Sequence, residues 1–186
     1  MAVMEHARQW SLSTWTDAGQ LAGQIDPDAV PAEAFGVPPA QWFATLRGSG
    51  KPFEAATFLA HALPRYECVV WAVRSLIEGA VLERTDPFAT AALRWMDDPC
   101  DRLRRAAGEM ADRSGRAGAG ELLCRAVFYS GGSIAPEDLH AVPAPPHMCA
   151  LMASGAVLTG AYGQPTPAAV LDRAFEIGDT LARQQR

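Results

Sequence analysis

Lysine is almost missing from this chain: Lys51 stands alone against fifteen arginines. Alanine is correspondingly abundant, a bias of GC-rich bacterial coding rather than of function. Positive charge is also outweighed, with 16 Lys+Arg against 21 Asp+Glu and a formal charge of −5. Proteins that grip phosphate backbones need a basic face, so the composition argues against non-specific binding to nucleic acid. Arg102, Arg104 and Arg105 form a local basic cluster, but Asp97, Asp98 and Asp101 precede it. Acids first and bases later suit a helix dipole, and the cluster reads as a solvated helix face.

Cysteine is sparse and unpatterned. Cys68, Cys100, Cys124 and Cys149 are separated by 32, 24 and 25 residues, with no CxxC. That excludes the usual zinc frameworks and points to reduced thiols serving as small hydrophobes in an intracellular protein. His147 and Cys149 stand two apart, a spacing that does not share a helix face, so no metal site is expected. Long hydrophobic runs are missing too. The N-terminus lacks a basic start followed by an apolar run, so no signal peptide is expected. Met148–Ala161 is too short to cross a bilayer, so neither membrane insertion nor any location but the cytoplasm is expected.

Catalytic signatures are equally scarce: GxSxG, GxxxxGK[ST] and HExxH do not occur. Asp97–Asp98 and Glu137–Asp138 are explained as helix caps. A carboxylate beside Cys68, at Glu67, would raise that thiol's pKa and leave it inert. Ser130-Gly131-Gly132-Ser133 follows a helix, whereas a phosphate cradle precedes one. No catalytic residue, metal or cofactor is therefore assigned.

What is present is helical. Pro38–Pro39 opens a short helix through Leu46. Pro52–Leu63, Pro64 to about Glu78, Pro87–Met96 and Pro99 to about Arg113 follow with apolar residues at helical spacing. Further helices run to about Tyr129, over His147–Ala161, and from Thr166–Pro167 onward, the last one amphipathic. No segment alternates like a strand. The expected fold is all-α, one domain over 1–186: a bundle of about seven helices built from helical hairpins. It comprises an N-terminal tail at 1–15, with Trp10 and Trp15 able to dock, and a helical core over 38–186. Pro52-Phe53 recurs as Pro87-Phe88, and Pro64 as Pro99, both 35 residues apart, the period of helical-hairpin arrays.

Two places stand out as candidate binding sites. Phe58–Ala72, FLAHALPRYECVVWA, sets His61, Arg65 and Glu67 around a proline corner, with Trp71 as an aromatic anchor of the kind interfaces favour. Polar groups at such a junction either satisfy backbone groups or recognise a ligand, and Trp71 is also a good core residue. The second place is the long proline-rich loop after Tyr129, carrying Ser130, Gly131, Gly132, Ser133, Pro145, Pro146 and His147. Loops of this length inside a compact domain are often functional.

Both segments, FLAHALPRYECVVWA and YSGGSIAPEDLHAVPAPPHMCALMASGAVLTGA, resemble the DUF6931-like family of small all-helical bacterial proteins found among type VI secretion genes. The likeness covers most of the chain from about Gln41. It departs from the family pattern at Val70, where a second aromatic is common. The family has no established catalytic residues, so none is carried over. The resemblance implies an accessory role: an adaptor or chaperone-like protein whose partner is a secretion component or effector. Two other readings stand beside it. One is a small enzyme or ligand-binding protein that brings the His61/Arg65/Glu67 corner against Ser130 or Ser133. The other is an acidic immunity protein.

Overall fold

A computed structural model describes residues 9–115 and 118–184. Among them are nine α-helices and no strand. They are α1 (Ala18–Ile25), α2 (Pro39–Gly48), α3 (Pro52–Ala62), α4 (Arg65–Glu78), α5 (Pro87–Asp97), α6 (Asp101–Ser114), α7 (Ala119–Phe128), α8 (Met148–Tyr162) and α9 (Pro167–Ala182). A 3-10 turn at Ala32–Ala34 lies in the irregular stretch between α1 and α2. The all-α expectation holds, with more helices than the seven or so expected.

Local chemistry sets most boundaries. Proline occupies the first turn of α2, α3, α5 and α9, where its missing N–H costs nothing. The Asp86 carboxylate caps α5 by accepting from the N–H groups of Phe88 and Ala89 at 2.9 and 3.2 Å. Gly115 ends α6 in the left-handed region, at φ +61°, where a side chain would be strained.

The unforeseen helix is α1. Ala18, Leu21, Ala22 and Ile25 stand at helical spacing behind Asp17, but the segment is only eight residues long and two of them are glycines, poor helix formers. Asp17 organises it: one carboxylate oxygen accepts from Gln20 N–H (3.0 Å), the other from Gly36 N–H (2.6 Å). The local cap thus also ties α1 to the turn at Gly36, and Leu21 is buried.

The core centres on α4 and α8. α8 is small-residue and apolar around its circumference, so it is enclosed: α3, α4, α7 and α9 all pack on it. Trp71 of α4 is fully buried, and its indole N–H donates to the carbonyl of Ala174 in α9 at 2.8 Å. Gly178, one turn further along α9, makes that seat possible. A Cβ there would overlap Leu59 of α3 and stand 3.0 Å from the Trp71 ring.

The 35-residue repeat is not confirmed, although the paired helices match in length. α3 and α5 have 11 residues each, α4 and α6 have 14. Their surroundings differ: α4 lies against α8 and α9, whereas α6 packs chiefly on α5 and α7. Pro64 caps α4 directly, but Pro99 stands two residues before α6. No helix among the described residues is long and apolar enough to cross a membrane.

Candidate functional site

The proline corner between α3 and α4 is a packed junction. His61, in the last turn of α3, is half-buried, with Nδ1 2.8 Å from the carbonyl of Thr57. Burial is the main reason its imidazole sits below the usual histidine pKa; the Thr57 carbonyl opposes this and the nearby His147 adds to it. His147 stands at the N-cap of α8, so the two sequence segments meet here. A second bridge joins them: the Cys149 thiol lies 3.7 Å from the Arg65 carbonyl. Cys68 and Cys149 are both buried and free. The Cys149 contact, then burial, raise the Cys68 pKa well above that of a free thiol. Cys68 is a buried core residue, and its raised pKa comes from Cys149 and burial rather than from Glu67.

The remaining corner residues divide. The Arg65 side chain is exposed, and Glu67 is half-buried in the first turn of α4, where the helix dipole favours a carboxylate. The neighbouring Tyr66 hydroxyl donates to the Met96 carbonyl at 3.0 Å. Trp71 is corrected from surface anchor to core residue: with no exposure and its N–H already bonded to Ala174, it has nothing to offer a partner.

The proline-rich loop is built differently from its appearance in sequence. Arg104, read as part of a solvated face, is only 3% exposed. Its guanidinium donates to the carbonyls of Phe128 (2.6 Å) and Ser133 (2.8 Å) and lies 5.0 Å from the Phe128 ring centroid. Nε and Nη2 also grip Asp101 Oδ1 at 2.8 and 2.6 Å. Arg105 donates to Asp101 Oδ2 (2.8 Å) and to the Ala135 carbonyl (2.9 Å). Bonds from Arg105 and Arg104 hold the Asp101 carboxyl below the ordinary aspartate range. The clamp missed by sequence reading is therefore Asp101–Arg104–Arg105. Its signal was the i, i+3, i+4 spacing, which serves equally well on an open helix face.

Gly132 is fitted to the clamp. Its φ is +63°, and a Cβ would stand 2.8 Å from Asp101 Oδ1 and 2.9 Å from Arg104 Nε. Ser133 Oγ accepts from the N–H groups of Ala135 (3.1 Å) and Val142 (3.0 Å), closing the loop on itself. Ser130 Oγ donates to the Val127 carbonyl at 2.7 Å. Both hydroxyls are engaged in local backbone structure. Gly131 and Pro145 are half-buried, and Pro146 and His147 are exposed at the loop's exit into α8. Leu139 and Val142 are left 61% and 47% exposed on this ordered loop. No group of three metal-ligating side chains occurs among the described residues.

A family model described as a family of unknown function, DUF6931, matches residues 42–182. The chain belongs to the DUF6931 family. Both the corner and the clamped loop lie inside the matched region, whereas α1 lies before it. Neither a curated protein nor a solved structure matches the chain.

Proposed function

We propose that this DUF6931 member is a non-enzymatic helical adaptor that binds another protein through the loop at 131–147. The observation that carries the reading is the clamp. Two arginines bond the carbonyls of Phe128, Ser133 and Ala135, yet the loop they order turns Leu139 and Val142 outward. Leu151, in the first turn of the adjoining α8, is 45% exposed. Ordering a loop beforehand lowers the entropy lost on binding, and apolar side chains on a fixed loop are the usual substance of a docking surface. The resemblance to proteins encoded among type VI secretion genes directs the search to a secretion component or effector, met in the cytoplasm and without nucleic acid.

The test is affinity purification of the tagged protein from its host, with the Leu139→Asp/Val142→Asp double variant alongside. Both positions are exposed, so the far-ultraviolet helical signal should not change. A stoichiometric protein partner captured by the wild type and lost from the variant supports the adaptor. A partner retained by the variant, or none captured by the wild type, rejects it.

A further inference from the structure

A concavity lies away from the loop, between α1, α2 and α3. It encloses about 550 Å³. Its floor is apolar and firmly packed: Trp42 and Leu46 of α2 and Phe58 of α3 are each at most 7% exposed. Phe53 stands at its edge, 54% exposed and stacked on Tyr162 with ring centroids 5.1 Å apart and planes 13° apart. That partner fixes the ring without covering it, the state in which an aromatic side chain best serves as an anchor.

The rim supplies the second half of the argument. Asp26, Glu33 and Glu54 line the same concavity and are all exposed. None of the three forms an ion pair among the described residues, although Lys51 also lines the groove. Three carboxylates face one ammonium, on a protein that is acidic overall. An apolar floor under an unneutralised acidic rim is complementary to a segment carrying apolar residues flanked by lysine or arginine.

We infer that this groove is a second binding site, for a short amphipathic basic segment of a partner protein. It shares no residue with the loop at 131–147, so it stands whether or not that loop binds anything. The apolar residues of the segment pack on Trp42, Leu46 and Phe53. Its cations meet Asp26, Glu33 and Glu54, adding to association rate and to selection against acidic segments. An adaptor with two separate surfaces holds two chains together.

The experiment uses the full chain and two fluorescein-labelled helical peptides, one of leucine and lysine and one with every lysine replaced by glutamate. Fluorescence anisotropy reads binding. The lysine peptide should bind and the glutamate peptide should not. Glu33→Lys/Glu54→Lys should weaken binding about tenfold, since two attractive exposed pairs become repulsive. Phe53→Ala should weaken it as well. The control for overall charge is Glu83→Lys/Glu109→Lys, which makes the same change in net charge at two exposed carboxylates that do not line the groove; it should leave binding within about twofold. Equal binding of both peptides, equal loss from Glu83→Lys/Glu109→Lys, or indifference to Glu33→Lys/Glu54→Lys and Phe53→Ala would overturn the inference. So would failure of the lysine peptide to bind, or self-association through the groove that excludes it.

Discussion

Arg104 shows how far a residue's role can lie from its composition. Its three nitrogens serve two backbone carbonyls and one carboxylate at 2.6–2.8 Å. Taking it away leaves the carbonyls of Phe128 and Ser133 without a donor in a place water reaches poorly. Arg104→Met keeps length and apolar packing but should cost about 2–4 kcal/mol, the range for breaking a buried charged hydrogen-bond set. Arg102→Met, one turn-face away and exposed, should stay within about 0.5 kcal/mol. Chemical denaturation of both variants checks this, and similar values would remove the clamp as a structural idea. Arg104→Lys should resemble the methionine variant, because an ammonium cannot reproduce the planar fork. His61 gives a prediction in pH. Its folded pKa is lowered, chiefly by burial, so between that value and the unfolded one near 6.5 the unfolded chain holds more proton. Stability therefore falls as pH drops below about 6.5 and levels off beneath the folded pKa. His61→Gln should flatten that slope in unfolding measured from pH 7.5 to 5; an unchanged slope would place its origin elsewhere.

At the scale of elements, the contest at Gly178 can be decided by magnitude. Alanine in a helix interior is favoured over glycine by roughly 1 kcal/mol. Here the added methyl would overlap Leu59 and crowd Trp71, and overpacking a core typically costs about 1–3 kcal/mol. Neither obstacle yields easily, since Trp71 is tethered to Ala174 and Leu59 is wholly buried. Gly178→Ala should therefore lower the melting temperature. A rise would mean that α9 slides on α3 and α4 more freely than their packing implies. The same close fit explains what was legible beforehand. α3, α4, α5 and α9 announce themselves by proline starts and apolar spacing, both properties of neighbours in the chain. Trp71, by contrast, is an equally good core or surface aromatic until α9 is known to lie over it. Arg104 differs from Arg102 only because the loop folds back onto one side of α6. His61 and His147 meet because α8 returns to the α3–α4 corner, which no local spacing records. α1 was legible in principle, with Asp17 as a local N-cap to Gln20 and Ala18, Leu21, Ala22 and Ile25 in register, but its shortness and its two glycines weaken that signal.

The whole molecule has a family-matched body and an N-terminal segment before it, with the match beginning at Trp42. That segment is docked through Trp10, Ser11 and Leu12, the Ser11 hydroxyl donating to the carbonyls of Arg183 and Gln184 at 2.9 and 3.0 Å. The Trp10 ring packs on Phe43 and Phe58, at centroid distances of 5.2 and 6.4 Å, and its N–H donates to Asp179 Oδ1 at 2.7 Å. Leu12 N–H then reaches the Ala182 carbonyl at 3.0 Å, near the end of α9. Beyond these contacts the chain forms α1 and the turn that wall the acidic groove with Asp26 and Glu33. A buried tryptophan replaced by alanine ordinarily costs about 3–5 kcal/mol. A terminal segment has a cheaper escape, because it can undock locally while the body stays folded. Trp10→Ala should thus cost less than that range, about 2 kcal/mol or below. Hydrogen exchange should show the loss at residues 10–15 and in the last turn of α9, with α4 and α8 keeping their protection. If α4 and α8 lost protection to the same degree, the segment and the body would be a single cooperative unit, and the groove between them could not loosen without unfolding the core. If the loss is local, the basic peptide should bind the variant more weakly as well, because one wall of its groove is then held less firmly.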